Sequence, residues 1–273
     1  MPEGDSVWRT GRRLDRGLAG RVLVRSDFRV PQHATADLSG RRVHGTETYG
    51  KHLLTRFEGD LTMHTHLRMD GEWSVLAPGR RIPRHREPDV RVVLQSDGGP
   101  TALALRMPVV ELLGSDDEHR AVGHLGPDPL RADFDPHEAV RRLGKDPKRP
   151  LVAALLDQRL LAGLGNLWVN ELAFVRGHSP WTPVAAVDLD KVVALAARML
   201  RQSITVPISG RGNGQVTTGD SRRGHEHWVY GRTGLPCRRC GTLIEHTDRT
   251  DTGSRDTWWC PRCQPGPNVA GRP

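Results

Sequence analysis

Apolar residues recur along the chain with two different periods, and the changes between them mark its parts. Over residues 5–19, Val7, Leu14 and Leu18 fall on one face of a helix that Asp5 or Ser6 can cap and Gly20 stops. From 21 to about 114, short runs rich in Val, Leu and Thr alternate with turn residues: RVLVRSDF, HLLTRFEG, LTMHTHLR, EWSVL, VRVVLQ, ALALR and VVELLG, broken by DGE, PGR and DGG. Regular short strands of this kind predict an antiparallel β-sandwich or barrel. The stretch PGRRIPRHREPD is basic and holds prolines, so it reads as an exposed loop.

Beyond residue 126 the period lengthens. Residues 127–150 are rich in proline and charge around a short helix near 136–144, as in a connection between domains. Helical signals follow at 150–161, 165–176 and 188–204. In the last, Leu189, Val192, Val193, Leu195, Ala196, Met199 and Leu200 make a broad apolar face. Residues 209–225 carry five glycines and no apolar period, which predicts a mobile loop or one ordered by a ligand. The tail QPGPNVAGRP reads as disordered.

Composition narrows the partner. Lys and Arg total 40 against 32 acids, a net charge of +8, which favours a polyanion. An anionic membrane would need an apolar or strongly amphipathic anchor, and the sequence offers none. Residues 1–20 lack the apolar centre of a signal peptide, so a cytoplasmic protein is expected. Solubility alone is the plainer reading of the charge.

The four cysteines, Cys237, Cys240, Cys260 and Cys263, follow C-x2-C-x19-C-x2-C. Two tight Cys-x-x-Cys turns can converge four thiolates on one tetrahedral ion. Four thiolates leave no open coordination position, so the ion expected is one structural zinc. The elements together predict a multidomain α and β chain: an N-terminal helix plus antiparallel β-sandwich or barrel over 1–126, a helical domain with a helix–two-turns–helix motif over 127–230, a C-terminal zinc-ribbon hairpin over 231–265 and a tail at 266–273.

The opening MPEGD supplies candidate chemistry. Removal of the initiator methionine leaves Pro2 as a secondary amine beside the carboxylate of Glu3. Such an amine can attack an electrophilic carbon and form an iminium without any lysine. An ordinary frayed start is the alternative on these five residues alone.

Taken with TYGKHLLTRF at 48–57, LLDQRLLAGLGNLWVNELAF at 155–174 and the cysteine pairs, that opening resembles the formamidopyrimidine-DNA glycosylase and endonuclease VIII family of base-excision repair enzymes, over nearly the whole chain. The resemblance implies that Pro2 attacks C1′ of a damaged nucleotide, displaces the base and leaves a Schiff base, with β,δ-elimination to follow. Glu3 matches the acid that assists sugar-ring opening and proton transfer. Lys51 matches a lysine at a hairpin tip that holds a phosphate or assists proton transfer. Asn166 matches an asparagine on backbone phosphate, with helix capping as the plainer role. Arg255 matches an arginine on the zinc hairpin directed to the same phosphate region, with Arg249 as a neighbour that could be confused with it. Met69 matches an insertion position flanked by Arg68 and Asp70, against the reading of a core methionine. Trp258 and Trp259 read as hairpin packing residues.

The same resemblance implies damaged double-stranded DNA as partner, a monomer, and no nucleotide cofactor. Ser6 stands where many members carry a second glutamate, so either Asp5 substitutes or that role is reduced. The opening, the TYGKHLLTRF segment and the C-terminal pattern lean toward the endonuclease VIII branch and oxidised pyrimidines, whereas HLRMDG looks more like the purine-directed branch. Three readings compete: a pyrimidine-directed glycosylase and abasic-site lyase, the same chemistry on formamidopyrimidine or 8-oxoguanine, and a zinc-containing damage-binding protein that does not cut.

Overall fold

The short alternating runs become two four-stranded antiparallel sheets. The structure, a computed structural model, describes residues 2–205, 215–248 and 255–267. The chain divides into two units, Met1–Glu3 with Val7–His124 and Gly4–Ser6 with Leu125–Pro273.

In the first unit the strands are β1 (Leu23–Phe28), β2 (Val43–Tyr49), β3 (His52–Phe57), β4 (Leu61–His66), β5 (Glu72–Leu76), β6 (Val90–Ser96), β7 (Thr101–Leu105) and β8 (Val109–Gly114). They pair in the orders β1-β6-β7-β5 and β2-β3-β4-β8. Leu23, Phe28, Trp73, Val92, Leu94, Ala102 and Ala104 of one sheet share a core with Val43, Leu53, Phe57, Met63 and Val110 of the other. Helix α1 (Gly4–Leu18) adds Val7, Leu14 and Leu18 to it. The anticipated strands are all present. Strand β2, VHGTETY, was not anticipated, because at a sheet edge it buries only Val43 and Thr46 on its core side and lacks an apolar alternation. The basic 78–89 segment exposes Arg80 and Arg81 as expected, but lays Ile82 with Leu76 over the outward residues Val93, Leu103 and Leu105.

The second unit holds α3 (Pro136–Leu143), α4 (Leu151–Leu156), α5 (Asn166–Arg176) and α6 (Leu189–Thr205); α2 (Glu118–Val122) belongs to the first. Their apolar faces meet in one core that includes Leu143, Leu155, Trp168, Leu172, Val193 and Leu200. Helix α4 stops well short of residue 161. Asp157 leaves helical geometry at ψ 104°, and its carboxylate turns back to the Arg159 amide at 3.0 Å and the guanidiniums of Arg149 and Arg159. Such an Asx turn competes with helix continuation. The two turns that follow end at α5.

Around the cysteines, β9 (Glu245–Thr247) and β10 (Thr257–Trp259) form a two-stranded hairpin. Phe174, Val229, Ile244, Cys237 and Cys260 form its core. Trp259 is buried edge-on against Trp181, and Trp258 packs on Tyr230 and His246, as packing residues do. Of the glycine-rich segment, 206–214 lies outside the described residues; over 215–225, Thr217 and Thr218 are held by the carbonyl of Glu226. Most of the tail lies outside them as well, from 268 on. Among the described residues no helix is long and apolar enough to cross a membrane.

Candidate functional site

Pro2 is half-buried and Glu3 is buried at 1% exposure, immediately before α1. The expected capping role of Asp5 or Ser6 is not what the structure shows: α1 begins at Gly4, and Asp5 lies inside its first turn. The buried Asp5 carboxylate instead accepts hydrogen bonds from Trp168 Nε1 at 3.2 Å, Ser203 Oγ at 2.6 Å and Gln215 Nε2 at 3.0 Å. Three donors around one buried carboxylate satisfy it, where an unpaired charge would be strongly destabilising. Gly4 donates its N–H to the Gly163 carbonyl at 2.8 Å, and a Cβ at Gly4 would come within 2.9 Å of Gly163 Cα. The glycine of PEG is therefore demanded by a close backbone approach. The turn just downstream of Pro2 and Glu3 is thus anchored by α5, α6 and Gln215.

Lys51 sits at the two-residue tip of the β2–β3 hairpin, between the paired residues Tyr49 and His52, with Gly50 at φ 56°. Positive φ at the first tip position suits the twist of a tight hairpin and favours glycine. Met69 is 62% exposed, in the loop between β4 and β5, so the core reading of this methionine fails.

Helix α5 organises the candidate residues of the second unit. Its N-cap is Gly165, without a side-chain cap, so Asn166 does not cap the helix as the plainer reading held. The Asn166 side chain donates through Nδ2 to the Asp256 carbonyl at 2.8 Å. One turn on, Asn170 donates to the Asn166 carbonyl at 2.7 Å and accepts from the Trp258 amide at 2.8 Å. Positions i and i+4 of one helix therefore grip the strand that follows the exposed Arg255. Glu171, 0% exposed, accepts from the amides of Trp228, Val229 and Tyr230, each at 2.8 Å, and from the Thr217 hydroxyl. Sequence reasoning missed Asn170 and Glu171. The available signal was the polar pair inside the apolar run LWVNELAF, since buried polar groups must find partners. The partners themselves, nearly sixty and ninety residues away, have no local signature.

One side-chain sulfur from each of the four cysteines lies within 4.8 Å of every other. Cys237 and Cys263 Sγ are 3.9 Å apart, and Cys240 and Cys260 Sγ 3.5 Å. Zn–S bonds of about 2.3 Å in a tetrahedron place sulfurs about 3.8 Å apart. Backbone amides of Arg239 and Cys263 donate to Cys237 and Cys260 Sγ at 3.4 Å, which suits thiolate acceptors. The donor set fits one structural zinc. Replacing Cys260, buried at 0% exposure, with serine is expected to release zinc and weaken duplex-DNA binding by about 10-fold, as hairpin β9–β10 and Arg255 lose their frame. Metal content and fluorescence anisotropy check this; unchanged zinc and affinity would refute it.

Comparison with known proteins covers the same ground. Residues 1–106 match the formamidopyrimidine-DNA glycosylase N-terminal domain, residues 125–215 the formamidopyrimidine-DNA glycosylase H2TH domain, and residues 234–266 the zinc finger found in FPG and IleRS. The chain is 50% identical over 272 residues to a "Probable endonuclease 8 2" of Streptomyces coelicolor, covering 98% of this chain and 95% of the relative. It is 44% identical over 265 residues to a "DNA-(apurinic or apyrimidinic site) lyase Nei2" of Mycolicibacterium smegmatis, covering 97% and 99%. A solved Lactococcus lactis Fpg bound to DNA with an abasic site is similar at TM-score 0.78 and 25% identity, over 97% of this chain and all of that one.

Proposed function

Because the chain belongs to the formamidopyrimidine-DNA glycosylase and endonuclease VIII family, we propose that it excises oxidised pyrimidines from duplex DNA and cuts the resulting abasic site. The Pro2–Glu3 start, set just before a turn anchored at Gly4 and Asp5, carries this reading. The deprotonated Pro2 nitrogen attacks C1′ of the damaged nucleotide and the base departs. Glu3 supplies a proton as the sugar ring opens, leaving an iminium at Pro2. The iminium acidifies the protons at C2′, so the 3′ phosphate leaves by β-elimination, and δ-elimination then releases the 5′ phosphate.

Lys51 contributes a compact cation at its hairpin tip for phosphate. The N-terminus of α5, Asn166 and the guanidinium of Arg255 hold the backbone next to the lesion. The exposed Met69 enters the gap left by the flipped nucleotide, offsetting part of the few kcal/mol that flipping costs. The second unit works as two parts, the helical 127–230 and the zinc-bearing 231–265. Zinc supplies rigidity to the hairpin that carries Arg255 and takes no part in the reaction. The protein acts as a monomer on damaged duplex, without a nucleotide cofactor.

Support for a pyrimidine over a purine comes from the relatives named endonuclease 8 and from the TYGKHLLTRF and MPEGD segments. Single-turnover excision from duplexes carrying thymine glycol or 8-oxoguanine tests the preference. The expected result is at least about 10-fold faster release of thymine glycol, a difference of about 1.4 kcal/mol in barrier. Faster release of 8-oxoguanine would assign the chain to the purine-directed chemistry instead.

A further inference from the structure

The outward face of β3, β4 and β8 carries a line of side chains that the reaction above does not use. Strand alternation places His52, His64, His66 and Glu111 on that face, since His52 pairs with His66 across β3–β4 and His64 with Glu111 across β4–β8. His64 Nδ1 lies 2.8 Å from Glu111 Oε2, and His64 Nε2 lies 2.8 Å from His52 Nδ1. The His52 and His64 rings stack with centroids 5.0 Å apart. The His52 ring is also met edge-on by His66 at 4.6 Å and by His124 at 6.3 Å. His64 is buried at 4% exposure, so its ring nitrogens have the protein as their partner.

We propose that Glu111, His64 and His52 form a hydrogen-bond relay that positions the His52 imidazole, with its Nε2 lone pair free to accept, at the root of the hairpin tip bearing Lys51. The polarity follows from the ends of the line. A carboxylate only accepts, so the His64 proton is on Nδ1. With one proton per ring, His64 Nε2 accepts and the His52 proton is on Nδ1. His66 has the opposite tautomer: the Arg68 amide donates to its Nδ1 at 3.0 Å, which leaves its proton on Nε2. One acceptor and one donor thus stand side by side, with no added cation. Burial, then His66, His64, His124 and Lys51, hold His52 down at about 3. Burial, then His64, Lys51 and Arg68, hold His66 at about 4. Lys51 therefore has neutral imidazoles beside it at neutral pH, and its ammonium is not opposed by charged ones. His52, His64 and Glu111 act on the reaction through Lys51 and are positioning residues.

This inference rests on the phosphate role given to Lys51, so the test carries Lys51→Leu in parallel. Long-range 1H–15N spectra of the imidazole nitrogens at pH 7.5 read the tautomers, and Nδ1–H is expected on both His52 and His64. Single-turnover cleavage of an abasic duplex reads function, and the Kd for a duplex with a tetrahydrofuran analogue reads binding. Glu111→Gln is expected to disturb the His52 tautomer and lower the cleavage rate about 10-fold, with Kd within about 2-fold. His52→Asn keeps a donor toward His64 but has no group at the Nε2 place, and should lose as much. His52→Gln, which puts an amide near that place, should recover most of the rate. Nε2–H on wild-type His52, wild-type rates in the Glu111 and His52 variants, or equal losses of rate and affinity would each overturn the relay. Full activity of Lys51→Leu would overturn the Lys51 role itself; impaired Lys51→Leu beside fully active relay variants would overturn the relay alone.

Discussion

Replacing Pro2 with glycine is expected to lower base removal by about 100-fold or more while leaving affinity for damaged duplex within about 2-fold. Glycine keeps a terminal amine, so the substitution removes the ring and the secondary nitrogen rather than the nucleophile. A secondary amine condenses with the sugar carbon to a permanently charged iminium. A primary amine gives an imine that must be protonated before it can withdraw electrons. The pyrrolidine ring also ties the nitrogen to its own side chain, which limits the directions its lone pair can face, whereas the amine of glycine rotates about N–Cα. In the proposed function Pro2 makes no phosphate contact, so affinity for the duplex should persist. Single-turnover excision and anisotropy on the same duplex separate the two quantities; an equal loss of rate and affinity would count against the assigned role.

The second large effect concerns stability. Glu171→Leu is expected to destabilise the second unit by roughly 3–5 kcal/mol, because the buried amide of Val229 and the part-buried amides of Trp228 and Tyr230 lose their acceptor at once and each orphaned group costs about 1–3 kcal/mol. That is a large share of the roughly 5–15 kcal/mol that holds a typical domain folded. Glu171→Gln keeps one carbonyl oxygen and should lose about half as much. The loss should begin where the bonds are. Amide exchange at Trp228, Val229 and Tyr230 should accelerate before that of β3 or β4 in the first unit. Urea unfolding gives the total, and a loss below about 1 kcal/mol would show that this carboxylate does not hold the 228–230 segment.

What could be read from sequence followed the range of the interaction. The zinc ligands were legible because each Cys-x-x-Cys turn is local and its spacing is restricted by tetrahedral geometry. Strands β1 and β3 to β8 were legible as short apolar runs bounded by turn residues, while the edge strand β2 buries only two residues and offers no such run. Asn166 had the position of a cap in sequence, yet its amide serves the strand beginning at Thr257, at a separation of 90 residues. Asp5 was equally opaque, since its three donors lie 163 to 210 residues away. Met69 could be core or surface from its neighbours alone, and only its exposure decides between them. The histidines of LTMHTH and KH were visible as residues. Their common face required knowing that β3 and β4 pair with His52 opposite His66.

Borohydride reduction of the protein on an abasic duplex, followed by proteolysis and mass spectrometry of the DNA-linked peptide, tests the central claim most directly. The account predicts a single covalent adduct on the nitrogen of Pro2, in a peptide that lacks Met1. An adduct on Lys51 or another lysine, or full strand cleavage by protein whose first residue is retained or blocked, would contradict it.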